Sequence, residues 1–310
     1  MTQARAGTAG RMMVVVAGVV IATVAGAGCG GDGGATRTAG EVVARTTTTT
    51  VTTTTTTTVP TNPDALERPS TPAAVAAELV RVERALRSDI GTPAEREALG
   101  WAQQHAYGAL AEHPEWYAQV VAALPADVAD PVARNHDAAV HLTSPSLGPA
   151  PTEPPDWTIR TPAPAATLMA WYREAEAATG VPWQYLAAIH LTETRMGRIQ
   201  GNSTVGAQGP MQFMPATWEE YGAGGDVRSD HDAILAAGRY LAASGGARGD
   251  IARALFAYNP SDDYVAAVED YAAVMAADPR AYDGYHAWQV YVTTTAGTQR
   301  LPEGWTRPRA

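Results

Sequence analysis

Between residues 71 and 143 apolar side chains recur at helical rather than strand spacing. Val75, Leu79, Val82 and Leu86 fall four, three and four residues apart, which puts them on one face of a helix. Thr71 followed by Pro72 supplies a cap and a first-turn proline for it. The same reading predicts helices over 93–112, 114–124 and 126–142. A proline-rich stretch at 144–164, SPSLGPAPTEPPDWTIRTPAP, then breaks the pattern. It reads as a stiff connector, either a spacer or a strap wrapped round the next unit. Helical spacing resumes over 165–179, 182–194, 215–221, 230–243, 249–258, 261–277 and 280–292, with a tail at 293–310. No stretch alternates strongly and no internal repeat is visible, so the predicted fold class is all-α.

Residues 1–70 carry no such periodicity. Arg5 and Arg11 precede an apolar run over 12–25, and Gly26-Ala27-Gly28 leads into Cys29, the layout of a secretory signal. The run is shorter than the roughly 20 residues a membrane-spanning helix needs. A Cys directly after small residues resembles a bacterial lipoprotein signal, in which cleavage leaves the Cys as a lipid-bearing N-terminus. Gly26 departs from the Leu or Val usual three residues before that Cys. The resemblance makes 1–28 a signal peptide and Cys29 a lipidation site. An ordinary signal peptide and an uncleaved anchor are the alternatives. Residues 29–70 include TTTTTVTTTTTTT at 46–58, which has no apolar face to bury and cannot offset its ordering entropy. They are expected to form a disordered Thr-rich stalk that holds the folded part away from a membrane. The implied location is the cell envelope, outside the cytoplasm, on the outer face of the cell membrane.

The chain's 310 residues carry a formal charge of -10, and all 22 basic residues are Arg. An acidic chain without a basic tract argues against nucleic acid as the main partner. A single Cys excludes an internal disulfide. His105, His113, His136 and His141 invite a metal reading, but their spacings of eight, 23 and five fit no tight site. No metal and no cofactor are expected.

The candidate chemistry starts in IHLTETRMGRIQG at 189–201, which holds one carboxylate. Gly180 ends one predicted helix and Pro182 opens the next, on which Leu186, Ile189 and His190 share a face with Glu193. Gly197 and Gly201 then break that helix. Glu193 thus sits near a helix C-terminus among apolar neighbours, and both features disfavour its ionised form. That is how a carboxyl stays protonated near neutral pH to act as a general acid. Read on this helix alone, a surface Glu paired with Arg195 or Arg198 is the stronger account. The loop STVGAQGPMQFMPATW at 203–218 changes the picture. Gly206 and Gly209 suit close approach of backbone to a ligand. Gln212 places an amide in an apolar run, where a sugar N-acetyl or hydroxyl group would satisfy it. ALFAYNPSDDY at 254–264 ends a helix at Tyr258-Asn259, with a phenol able to reach a carboxyl. Asp226, Asp230 and Asp232 read as turn and cap residues, and Asp262 and Asp263 as first-turn acids.

These motifs, in this order, resemble the lysozyme-like catalytic domain of lytic transglycosylases of the soluble type, over about 165–292. Glu193 in ETRMG stands where that family has its catalytic Glu. Ser203, Gly206, Ala207, Gln208, Gly209, Met211, Gln212, Met214, Pro215 and Thr217 match its glycine- and glutamine-rich block. Gly238-Arg239-Tyr240-Leu241 and Ala257-Tyr258-Asn259 match two later motifs. Thr194, Pro210 and Pro260-Ser261 depart from the usual residues, and ETRMG looks closer to the membrane-bound B-type branch. The resemblance implies peptidoglycan glycan strands as substrate, cut between N-acetylmuramic acid and N-acetylglucosamine, with formation of a 1,6-anhydro ring. Glu193 would be both acid and base, and Ser203, Gln212, Tyr258 and Asn259 would bind the glycan, with Tyr258 holding Glu193 or the N-acetyl group. The rival readings are a hydrolytic muramidase and a non-catalytic wall-binding lipoprotein. The role of 71–143 and any protein partner are not legible in the sequence.

Overall fold

Side-chain caps set where the helices of this chain begin. In the computed structural model, which describes residues 59–89, 91–143 and 150–307, the Thr71 hydroxyl accepts from Ala74 N and starts α1 (Pro72–Leu86). Thr92 and Glu95 form a reciprocal capping box at the start of α2 (Pro93–Glu112). A short 3-10 turn leads into α3 (Tyr117–Ala123), followed by α4 (Ala126–Leu142). After the connector come α5 (Ala165–Thr179), α6 (Trp183–Thr194), α7 (Pro215–Tyr221), α8 (Asp230–Ala243), α9 (Ile251–Tyr258), α10 (Asp262–Ala277) and α11 (Ala281–Ala287). The fold is all-α with a few short strands. Among the described residues, no helix is long and apolar enough to cross a membrane. The predicted signal, Cys29 and the Thr run lie outside the described residues.

The first four helices and the later ones share one core. Val75, Leu79, Leu110 and Val132 belong to the same buried cluster as Leu168, Leu186, Ile189, Met275 and Tyr285. α4 lies along α10, and α1 and α2 lie against α11. A buried polar group crosses this seam. Tyr285 donates to Asn135 Oδ1 over 2.5 Å, Asn135 Nδ2 donates to the Tyr107 hydroxyl over 3.0 Å, and Tyr107 donates to Glu83 over 2.6 Å. Arg134 pairs with Asp270 at 3.1 Å, and His141 lies 3.0 Å from Asp263.

The helix expected over 280–292 stops at Ala287, and the expected tail is a hairpin. Strands β3 (Val290–Thr294) and β4 (Gly297–Leu301) pair antiparallel. Val290, Val292, Thr293 and Thr294 are β-branched, and Gly297 turns with φ of 115°. The connector is a strap rather than a spacer. Its strand β1 (Thr158–Ile159) pairs with β2 (Ile199–Gln200), just beyond Glu193. Ile159 N donates to Trp305 O over 2.8 Å, and Arg160 N to Arg198 O over 2.9 Å. Trp157, Ile159, Ile199, Val290, Val292 and Leu301 close a small second core beneath these pairings.

Candidate active site

α6 is buried almost all round, as expected of a helix with no polar stripe. α5, α8 and α10 surround it. Glu193 lies in its last turn and is 6% exposed. The chain then turns sharply, with Arg195, Met196 and Gly197 all left-handed at φ of 54°, 59° and 79°. The hydroxyl that reaches the carboxyl belongs to Tyr264, which donates to Glu193 Oε1 over 2.7 Å. Burial pushes the Glu193 carboxyl up from its ordinary 4.5 to about 7, against the opposing pull of the Tyr264 hydrogen bond. Ser261 fixes Tyr264 in place: it caps α10 and accepts from Tyr264 N at 3.3 Å.

Further along the chain is a tight loop in which Gln208 and Phe213 exchange two backbone hydrogen bonds of 2.8 Å. Gly209 has φ of 74°, and a Cβ there would lie 1.8 Å from Val227 O, so no other residue fits. Gln212 is left-handed at φ of 49°, a strained setting for its type. Two hydroxyls hold the loop's carbonyls. Thr194 Oγ1 donates to Pro210 O and Tyr258 donates to Met211 O, each over 2.5 Å. Thr194 therefore ties α6 to the loop.

Glu193, the loop and the end of α9 are thus gathered around one place, but the expected side chains are engaged differently. Tyr258 holds the loop backbone and not Glu193. Gln212 Nε2 donates to Gly209 O at 2.9 Å and Gly201 O at 3.3 Å, so part of its amide shapes the loop. The Ser203 hydroxyl accepts from Ala207 N over 2.9 Å and keeps its proton to give elsewhere. Asn259 is 1% exposed, and its Nδ2 has no hydrogen-bond partner among the described residues. Tyr264 was missed by sequence reasoning; the Ser261 cap was the available signal, since it places a Tyr in the first turn of a helix after the Tyr258-Asn259 pair.

Of the other acids near this region, Asp226 and Asp232 serve local backbone, whereas Asp230, expected as a turn or cap residue, is buried and its carboxylate pairs with Arg160, the cap being Ser229. Asp226 Oδ1 accepts from Arg228 N, and Asp232 Oδ2 accepts from Asp226 N, each over 2.9 Å. The four N-terminal histidines are scattered: His105 meets the Tyr291 hydroxyl, His141 meets Asp263, His113 stacks on Trp116 and His136 on Tyr117. Among the described residues, no group of three or more His, Cys, Asp or Glu gathers to hold a metal.

The family model of the Transglycosylase SLT domain matches residues 170–274, from within α5 to near the end of α10. The match takes in Glu193, the clamped loop, Tyr258 and Tyr264. No curated protein and no solved structure matches the chain. Over residues 170–274 the chain thus matches the Transglycosylase SLT domain, and the N-terminal helices, the strap and the hairpin flank the matched segment.

Proposed function

We propose that the protein is a peptidoglycan lytic transglycosylase in which Glu193 alone acts first as acid and then as base. One observation carries the reading: a buried carboxyl, pushed up to about 7, whose Oε1 is held by the Tyr264 hydroxyl. A general acid works best with a pKa near the operating pH. Because Tyr264 donates to Oε1, the acidic proton belongs on Oε2, the oxygen left to face the glycan.

Glycosidases that hydrolyse usually need two carboxylates. Here the substrate supplies the second function. Glu193 gives its proton to the glycosidic oxygen as the bond from that oxygen to muramic C1 breaks. The neighbouring N-acetyl carbonyl oxygen supports the electron-poor C1. The Glu193 carboxylate then takes the proton of the C6 hydroxyl, whose oxygen bonds C1 and closes the 1,6-anhydro ring. No water is consumed. Gln212, Ser203, Tyr258 and Asn259 position the glycan. Residues 1–28 direct export, and Cys29 carries the lipid that anchors the chain at the outer face of the membrane. Cys29→Ser releasing the protein from the membrane fraction supports that anchor, and unchanged fractionation removes it.

Mass spectrometry of products from purified peptidoglycan tests the reaction. Muropeptides ending in anhydro-muramic acid, absent with Glu193→Gln, are expected. Reducing-end products would make the protein a muramidase, and no Glu193-dependent product from folded protein would leave a binding role.

A further inference from the structure

Beneath the turn that follows Glu193 lies a buried polar cluster that the acid-base chemistry does not use. The Tyr172 hydroxyl on α5 is 2.7 Å from His190 Nδ1 on α6, and both residues are 0% exposed. The other ring nitrogen, Nε2, faces Asp230 Oδ1 at 3.6 Å, from the start of α8. The second Asp230 oxygen pairs with Arg160 Nη2 from the strap. Burial pushes the Asp230 carboxyl up, but His190 and Arg160 outweigh it and hold the group below its ordinary range. Asp230 is therefore a buried anion, and such a charge is tolerated only while paired.

The backbone of the turn sits directly on this cluster. A Cβ on Gly197 would lie 2.5 Å from Asp230 Oδ1, 2.9 Å from Arg160 Nη2 and 3.1 Å from His190 Nε2. Arg160 Nε donates to Gly197 O over 2.8 Å, and Gln200 Nε2 joins at 3.0 Å. On its other side Gly197 N donates to Thr194 Oγ1 over 3.1 Å, and Thr194 reaches Pro210 O. One glycine thus carries the charged cluster on its carbonyl and the substrate-side loop on its amide.

We propose that Arg160 is a positioning residue: by bridging Asp230 and the Gly197 carbonyl it holds the left-handed turn, and so sets Glu193 and Thr194 against the 208–213 loop. Its catalytic consequence rests on the function proposed above. Arg160 lies outside the matched residues 170–274, so the strap contributes to the working geometry of a domain it precedes. The guanidinium is needed for its fork, because one arm serves the carboxylate and another the carbonyl. Lys offers a single compact charge and cannot bridge both in this geometry.

The test uses the full chain with Arg160→Lys and Arg160→Met, followed by amide hydrogen exchange and by steady-state kinetics. Exchange is expected to speed at 195–200 and 208–213 in both variants, by roughly tenfold or more, while α4 and α9 keep their protection. kcat is expected to fall by roughly tenfold to a hundredfold because the acid is displaced, with a smaller rise in KM as the loop that carries Gln212 loosens. The alkaline limb of the pH profile stays where it was. Unchanged exchange in Arg160→Met, or faster exchange with unchanged kcat, overturns the proposal, as does Arg160→Lys behaving like the native chain. Should the native chain show no Glu193-dependent cleavage, the proposed function fails, while the exchange arm still decides whether Arg160 holds the turn.

Discussion

The Tyr264 hydroxyl donates to Glu193 Oε1 over 2.7 Å although the two residues stand 71 positions apart. It is the interaction that favours the ionised carboxyl, opposing a burial that favours the neutral one. Tyr264→Phe keeps the ring and removes the bond, so Glu193 should titrate above about 7. The alkaline fall of kcat/KM is expected to move to higher pH, and kcat to drop because the carboxyl loses its orientation. Tyr258→Phe should leave that limb in place, since the Tyr258 hydroxyl serves the Met211 carbonyl. Its loss should appear instead as weaker glycan binding. Equal shifts of the limb in both variants would refute this division of roles.

Glu193 also makes stability depend on pH, and the direction follows from its raised pKa. At low pH the carboxyl is protonated in both the folded and the unfolded chain. Between 4.5 and about 7 the unfolded chain ionises while the folded chain keeps its proton, so stability falls as pH rises through that window. The full effect is roughly 3 kcal/mol. Glu193→Gln does not titrate and can still accept from Tyr264. It should therefore melt close to the native protein at low pH and increasingly above it toward pH 8. A melting difference that does not change with pH would mean that Glu193 is not held neutral.

Much of the helical framework was legible because its signals are local. Thr71-Pro72 and Gly180 act within one turn, and the structure begins or ends helices at those places. The Glu193 turn and the clamped loop were legible as glycine-rich breaks after apolar runs. Tyr264 was not, because its role depends on α10 crossing α6, which no local pattern encodes. The hairpin was missed for a related reason. Its two strands are five residues each, and β3 is buried along its whole length, so it shows no alternation to read. Arg160 sat in a proline-rich stretch whose partners, Gly197 and Asp230, come from two other elements.

The two loop glycines should respond differently to Ala. Both have positive φ, so each substitution carries a backbone penalty of about 1–2 kcal/mol. At Gly206 the added methyl meets nothing within 4 Å, and that penalty is all that is expected. At Gly209 it would lie 1.8 Å from a backbone oxygen of Val227, so the loop must move away from the segment behind it. Gly209→Ala should lose glycan cleavage by a far larger factor than Gly206→Ala. Denaturant midpoints and kcat/KM measured on both variants check the ordering, and similar losses would mean that the loop is not pinned against Val227.

The N-terminal helices should prove inseparable from the SLT domain. Removing them would strip α10 of α4 and expose the apolar face that Val75, Leu79 and Val132 help to cover. α10 is also the helix that carries Tyr264 to Glu193, so disturbance there reaches the acid. Asn135 tests the seam with a single change. It accepts from Tyr285 and donates to Tyr107, and Asn135→Ala leaves a buried hydroxyl on each side without that partner. The expected loss is roughly 2–4 kcal/mol, because buried polar groups deprived of partners keep their full desolvation penalty. Chemical denaturation of the native chain should show one transition reported alike by near- and far-ultraviolet dichroism, and Asn135→Ala should move its midpoint without changing its slope. Two separated transitions, or a chain starting at residue 150 that folds and cleaves peptidoglycan at the native rate, would make the first helices an appendage. A single transition that shifts as a whole would make them part of the body that holds Tyr264 on Glu193.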